Sequence, residues 1–349
     1  MVIDLILTGK CNLRCKYCFE NRENCKVNSR DEHVDSSDMN YETAIKSIEY
    51  FKNIAIKNRE SILQINFFGG EPLLKFNIIK DIVNYCNKNI DDIECVFSMT
   101  TNATLFNEEI CDYCIENNFT IMFSIDGNKL SHNKNRLTNN SEGSFYLIEK
   151  NLNFITKFIN TSKKSQIKYI LNPNNINYFY ESMIYLSKFN SPISFDFNYE
   201  ELWKQEDINI FQKEFEKYLK FYKEKREIIG SEFNSIEIER ILKSLSNYEI
   251  NKYCNAGETM FAINFNGDIY PCSRFILETN ESLGNIYKNH KTIELQNNIN
   301  YCDECSLKNY CNAQCKFINK LYTGSILKPP KFFCDIQKIL FYYIYKTFI

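Results

Sequence analysis

The chain has 349 residues, 44% hydrophobic and 25% charged, with a formal net charge of −2. That is too long for a disulfide-stapled module, ordinary for a globular protein, and gives no electrostatic reason to expect nucleic acid or an anionic membrane as partner. No apolar run is long enough to span a bilayer and Met1–Lys10 lacks the features of a signal peptide, so a cytoplasmic location is expected.

Two counts are unusual. There are 15 cysteines without any other sign of an oxidising compartment, which favours metal ligation over disulfides. There are 10 glycines where about 7% of residues would be usual, so each retained glycine invites a backbone explanation.

In chain order, the first strand is expected over Val2–Leu7. It is followed by Cys11-x3-Cys15-x2-Cys18, three thiols on the loop leaving that strand. A helix over Tyr41–Ile56 leads to a strand over Ile62–Phe68 that ends in Gly69-Gly70-Glu71-Pro72. A helix over Phe76–Asn87 precedes the strand Glu94–Met99, which runs into Thr101-Asn102-Ala103-Thr104. After the helix Glu108–Asn117 comes the strand Thr120–Ile125, ending in Ser124-Ile125-Asp126-Gly127. A helix over Phe145–Ile159 leads to the strand Gln166–Leu171, and a helix over Ile176–Phe189 to the strand Ile193–Phe197. Six strands, each but the last followed by a helix, predict a parallel sheet with helical crossovers, an α/β partial (β/α)6 TIM-like barrel. In such sheets chemistry gathers at the C-terminal strand ends, where these unusual residues fall.

Residues 206–251 read as a pair of amphipathic connector helices. The cysteines resume with Cys254, then Gly267-x4-Cys272, Cys302-x2-Cys305-x5-Cys311-x3-Cys315 and Cys334, in a loop-rich segment over 252–335. Structural zinc competes with iron–sulfur ligation for such thiolates. A last helix is expected over 336–349, packed on the barrel. The organisation is therefore 1–205, 206–251, 252–335 and 336–349. Cys111-x2-Cys114 lies mid-helix in a core-facing pattern and reads as buried thiols; Cys25, Cys86 and Cys95 are the other cysteines without a ligand role.

Three thiolates at the first spacing can hold three corners of a [4Fe–4S] cube and leave one iron open. With GGEP after the second strand, the sequence resembles the radical S-adenosylmethionine (radical SAM) superfamily. In that family the open iron chelates S-adenosylmethionine, whose cleavage gives a 5′-deoxyadenosyl radical that abstracts hydrogen from a substrate. The resemblance implies that Cys11, Cys15 and Cys18 hold the cluster and that Tyr17 lies against the adenine. It implies that Gly69, Gly70 and Glu71 bind the methionine amino group, and that Thr101 and Asn102 lie near the ribose. Ser124, Asp126 and the candidate Arg136 belong to the carboxylate end, and Leu171 would pack on the adenine. Ala103 departs from the family, which has glycine there.

The C-terminal spacing, with Gly267–Cys272 and Leu283–Ile286, resembles the SPASM extension of radical SAM peptide-modifying enzymes, which carries two auxiliary [4Fe–4S] clusters. By that pattern Cys302, Cys305, Cys311 and Cys334 hold the outer cluster and Cys254, Cys272 and Cys315 the inner one. The inner cluster then has an open iron or a non-cysteine ligand such as Glu258. Three clusters in all imply an anaerobic host.

The resemblance implies an oxidoreductase that matures a ribosomally made peptide, installing a thioether or carbon–carbon crosslink. An anaerobic sulfatase-maturing enzyme is the alternative within enzymes. Those enzymes carry an acidic base directly after the cysteine of the Gly-x4 spacing, where this chain has Ser273 and Arg274. A non-catalytic iron–sulfur or zinc scaffold is the alternative outside them. The expected partners are a small Cys-containing precursor and an electron donor such as flavodoxin or ferredoxin; with strand one starting at Val2, either a separate leader-peptide-binding protein or direct recognition of the core peptide is expected.

Overall fold

The computed structural model describes residues 1–18, 37–230, 233–247, 254–276, 278–288, 302, 304–311 and 315–349. Cys25 lies outside the described residues. The first half alternates β1 (Val2–Ile6), α1 (Tyr41–Lys57), β2 (Ile62–Phe68), α2 (Phe76–Asn89), β3 (Glu94–Thr101), α3 (Glu108–Glu116) and β4 (Thr120–Ser124). Then come α4 (Lys129–Asn135), α5 (Phe145–Ser162), β5 (Ser165–Leu171), α6 (Phe179–Leu186) and β6 (Ile193–Phe197). Two connector helices, α7 (Gln205–Ile229) and α8 (Ile236–Asn247), precede the short strands β7 (Met260–Ile263), β8 (Asp268–Tyr270) and β9 (Gly284–Asn285). The chain ends in α9 (Lys316–Thr323) and α10 (Lys331–Phe348).

Asparagine side chains mark the helix starts. Asn40, Asn107 and Asn128 each accept a hydrogen bond from a backbone N–H in the first turn of α1, α3 and α4, the usual N-cap chemistry. Between Ile176 and Phe189 only the middle is α-helical; both ends are single 3-10 turns. The short α4 has no counterpart in the expected elements.

The strands lie in the order β6-β5-β4-β3-β2-β1-β7-β8-β9. β1 to β6 pair in parallel, as βαβ units require. β7 pairs in parallel with β1, Val2 opposite Met260 through Leu5 opposite Ile263, and β8 and β9 follow antiparallel. The cysteine-rich segment is thus stitched to the first strand. Loop-rich composition hid these strands, none longer than four residues.

The two faces of the sheet differ in kind. Ile3, Leu5, Ile65, Phe67, Ile121, Phe123, Ile167 and Tyr169 are all fully buried, on the face covered by helices. The alternate positions Asp4, Asn66, Thr100, Ser124, Lys168 and Asp196 line a cavity. Strand alternation puts every second residue on each side, so a polar inner face means a chamber rather than a core. Cys111 and Cys114 are fully buried, matching their reading as core thiols. α10 packs on α7 and α8, with Lys223 Nζ donating to Thr347 O at 3.0 Å. No described helix is long and apolar enough to cross a membrane.

Candidate active site

A cavity of about 410 Å³ runs over the polar face of the sheet. It gathers Cys11, Cys15, Tyr17, Cys18, Gly69, Gly70, Glu71, Thr101, Asn102, Ser124 and Arg136. Asp126 stands just behind that lining. Leu171 does not face it: the strand alternation turns its fully buried side chain to the helical side and presents Ile170 instead.

The cysteine loop is pinned on both flanks. Arg14 N–H donates to Leu137 O at 2.7 Å and Lys16 N–H to Asn135 O at 2.9 Å, so the loop rests on the end of α4 and the chain just after it. On the other side Asn12 Nδ2 donates to Thr104 Oγ1 at 2.8 Å, and Asn102 Nδ2 to Asn12 Oδ1 at 2.9 Å. The two glycines after β2 make room for this loop. A Cβ on Gly69 would stand 2.3 Å from Thr8 O, and one on Gly70 2.2 Å from Lys10 O. Their role in this structure is to let the end of β2 lie against the end of β1, with Gly70 N–H donating to Thr8 O at 2.8 Å and Glu71 N–H to Lys10 O at 3.0 Å.

Glu71 is buried, 1% exposed, and accepts from Thr101 Oγ1 at 2.7 Å, Asn102 N–H at 2.8 Å and Leu73 N–H at 3.1 Å. Burial pushes its carboxyl from 4.5 up to about 7, with the three donors pulling the other way. Ala103, the departure from glycine, takes the left-handed conformation at φ 65° that glycine would adopt without strain.

Tyr17, Asp126 and Arg136 form one unit. The Tyr17 hydroxyl donates to Asp126 Oδ2 at 2.5 Å, and Arg136 Nε lies 3.2 Å from the same oxygen. The guanidinium carbon is 5.3 Å from the Tyr17 ring centre, within cation–π range. Burial is the largest single influence on Arg136 and opposes its charge, but Asp126, Tyr17 and Cys15 together outweigh it and keep the guanidinium protonated. His132, missed by sequence reading, accepts from Asp126 N–H through Nδ1 at 3.2 Å, and burial holds its pKa well below normal, so it stays neutral.

The opposite wall comes from the C-terminal segment. Ser273 and Arg274, directly after Cys272, line the cavity together with Asp4 and Met260. Asp4 is 1% exposed and accepts from Asn66 Nδ2 at 2.7 Å; burial raises its pKa, which hydrogen bonds from Asn66 and Ser273 partly offset. The alternation of polar residues in β1 to β6 was the signal that would have found Asp4, Asn66, Lys168 and Asp196.

The remaining ligand candidates fall into the two expected groups. Cys302, Cys305, Cys311 and Cys334 surround a second cavity of about 30 Å³. Burial pushes the Cys334 thiol up to about 11, and the other three sulfurs add to the effect. Cys254 and Cys315 act electrostatically on Cys272, which burial pushes up to about 12. Glu258 is turned to Lys316, whose Nζ lies 2.9 Å away. Among the described residues no three His, Cys, Asp or Glu side chains converge on a point as around a single ion; the four outer thiols enclose a small volume instead. Thiols alone are a donor set suited to iron–sulfur clusters, and three on a cavity rim fit a cluster that leaves an iron facing the cavity.

A parallel sheet with a three-cysteine loop over its polar face is the architecture and donor set of an iron–sulfur enzyme. The chain belongs to the radical SAM superfamily, whose profile matches residues 5–176. An uncharacterised protein of Methanocaldococcus jannaschii is 32% identical, over 82% of this chain and 89% of that one. A radical SAM cyclopropyl synthase of Paramaledivibacter caminithermalis is 26% identical over 97% of this chain and 72% of its own length. A cysteine-type anaerobic sulfatase-maturating enzyme of Clostridium perfringens is 25% identical over 97% and 94%. The fold is also that of anSMEcpe, solved with AdoMet and a Cp18Cys peptide, at a TM-score of 0.79 and 20% identity, over 99% of this chain and 97% of that one.

Proposed function

We propose that this radical SAM enzyme is a peptide maturase that forms a thioether or carbon–carbon crosslink in a ribosomally made substrate. Cys11, Cys15 and Cys18 would hold the [4Fe–4S] cluster, and the cavity between Tyr17, Glu71, Asn102, Ser124 and Arg136 would hold S-adenosylmethionine. Bound there, that pair supplies the 5′-deoxyadenosyl radical that removes a hydrogen atom from the substrate.

The chain's own part is positioning and charge. Arg136 offers a fixed cation suited to the cofactor's carboxylate, and Glu71 a carboxylate suited to its ammonium. Asp126 fixes both Tyr17 and Arg136, so it orients two walls of the pocket at once. Cys254, Cys272 and Cys315 would hold an inner auxiliary cluster, and Cys302, Cys305, Cys311 and Cys334 an outer one. Residues 252–335 then act as a distinct auxiliary-cluster domain behind a barrel of 1–205. An electron donor such as flavodoxin or ferredoxin completes the proposal.

One observation carries this reading. The cavity is continuous from the Cys11–Cys18 loop to Ser273 and Arg274 beside Cys272, so a peptide residue lodged in it would lie between both. The cyclopropyl synthase and sulfatase-maturating relatives support a peptide or protein substrate. The sulfatase-maturating relative, matched over nearly its whole length, also supports formylglycine formation as a second reading. Ser273 in place of an acid weighs against it.

The test is anaerobic reconstitution followed by incubation with S-adenosylmethionine, dithionite and synthetic cysteine-containing peptides, including any encoded by a small reading frame beside the gene. Loss of two hydrogens with a new link in the fragment spectrum supports the maturase. Conversion of cysteine to an aldehyde favours the second reading. A colourless zinc protein that makes no 5′-deoxyadenosine overturns both.

A further inference from the structure

The proposed reaction releases a proton that needs a taker. Closing a thioether or carbon–carbon link removes a hydrogen atom, an electron and a proton from the peptide. The hydrogen atom goes to the 5′-deoxyadenosyl radical and the electron to an iron–sulfur group at Cys254, Cys272 and Cys315. The proton must leave through the walls of the cavity.

Lys168 on β5 lines that cavity, and its Nζ donates to Ser194 Oγ on β6 at 3.1 Å. Ser194 Oγ in turn donates to Glu237 Oε1 on α8 at 2.7 Å. The direction is set by chemistry: an ammonium cannot accept and a carboxylate cannot donate, so the single hydroxyl hydrogen points at Glu237. The other carboxylate oxygen is held by Phe195 N–H at 3.0 Å. Ser194 is 2% exposed and Glu237 8%, so the line runs from the cavity into the interior. There Glu237 borders a second cavity of about 60 Å³ with Arg240 and Gln337, which is room for water. Burial raises the Glu237 pKa against the pull of Lys168 and its hydrogen bonds, which suits a proton acceptor. Asp196 Oδ2 lies 3.7 Å from the same Nζ, past hydrogen-bond length, so it adds charge and no direct proton path.

We propose that Lys168, Ser194 and Glu237 form a relay that takes the proton released as the peptide link closes. Lys168 gives an N–H proton to Ser194 Oγ while Ser194 gives its own to Glu237 Oε1. The freed amine lone pair accepts the substrate proton, leaving an ammonium at Lys168 and a carboxylic acid at Glu237. Lys168 meets the substrate; Ser194 and Glu237 are positioning residues that act through it. This rests on the crosslinking reaction proposed above.

The test uses the full chain, reconstituted anaerobically, with a cysteine-containing peptide that the parent crosslinks, and counts links per 5′-deoxyadenosine. Ser194→Ala and Glu237→Gln are each expected to lower that ratio at least tenfold, and either decides the matter if the other fails to fold. Ser194→Thr, which restores the hydroxyl, returns the ratio to within threefold of the parent. A second readout needs no peptide: acetic anhydride labelling of Lys168 at pH 8, followed by mass spectrometry. Glu237→Gln removes the charge at the end of the line and should raise that labelling at least threefold. An unmoved ratio, no rescue by Ser194→Thr, unchanged labelling, or a tenfold loss in Asp196→Asn with Glu237→Gln unaffected overturns the relay alone. Slower 5′-deoxyadenosine formation with the ratio kept marks a structural role and does the same. A parent that makes 5′-deoxyadenosine but links no peptide overturns the crosslinking reading, and the relay with it.

Discussion

The Tyr17 hydroxyl donates to Asp126 Oδ2 at 2.5 Å, joining the cysteine loop after β1 to the end of β4 across 109 residues of chain. Asp126 also receives Ile170 N–H at 3.1 Å and balances Arg136. Loss of its charge leaves a buried guanidinium uncompensated, so Asp126→Asn is expected to cost about 3–5 kcal/mol. Tyr17→Phe removes one donor to a charged acceptor and should cost about 1.5–3 kcal/mol. Anaerobic urea denaturation of both variants checks the order; a reversed ranking would show that the ion pair does not hold the loop.

Glu71 makes apo-protein stability depend on pH in a defined direction. Its carboxyl titrates near 4.5 when unfolded and at about 7 when folded, so the native state binds the extra proton between those values. Stability from this group is therefore lost as pH rises from about 4.5 through 7, by up to about 3 kcal/mol. The amide introduced by Glu71→Gln cannot titrate. The difference in unfolding free energy between wild type and variant should fall across that window and flatten above it. A constant difference from pH 4 to 8 would contradict the assignment.

Gly69 and Gly70 should not tolerate a methyl group. At each the clash is with backbone of the β1 end, which cannot swing aside as a side chain could. Gly70→Ala is expected to cost about 1–3 kcal/mol from overpacking and to reduce iron uptake at the Cys11–Cys18 loop. Gly230→Ala meets nothing within 4 Å and bears only the strain of its backbone, φ 77° and ψ −152°, a region open to little but glycine, at a cost of about 1–3 kcal/mol with iron uptake unchanged. Iron analysis beside denaturation curves separates the two cases.

Ile170 and Leu171 should part company when truncated. Leu171→Ala opens a hole in the helical side of the sheet and is expected to cost about 2–5 kcal/mol while sparing S-adenosylmethionine affinity. Ile170→Ala should cost less stability and weaken that affinity. Equilibrium dialysis of the two folded variants decides between them, and equal affinities would remove Ile170 from the pocket.

The barrel was legible because its strands are apolar runs bounded by turn residues, and β2 and β6 match their expected bounds residue for residue. The candidate site was legible where rare residue types stand at fixed spacing, as with Cys11, Cys15, Cys18 and Gly69–Glu71, which the fold brings to one cavity. Leu171 went astray because a motif position was carried over without counting strand parity, which places Ile170 inward. Asp4 had no motif to announce it; its meaning arises only when β7 brings the C-terminal segment beside β1. The strands β7, β8 and β9 escaped because two to four residues hold too little periodicity to stand out.

The seam between β1 and β7 also sets a timetable for assembly. Val2 must wait for Met260 before its second neighbour exists, so during synthesis one side of β1 offers unpaired N–H and C=O groups. Such an interval invites strand exchange with another nascent copy, and pairing this distant in sequence forms slowly. A truncation ahead of Met260 would make the interval permanent, and insolubility rather than a tidy half-protein is the natural outcome.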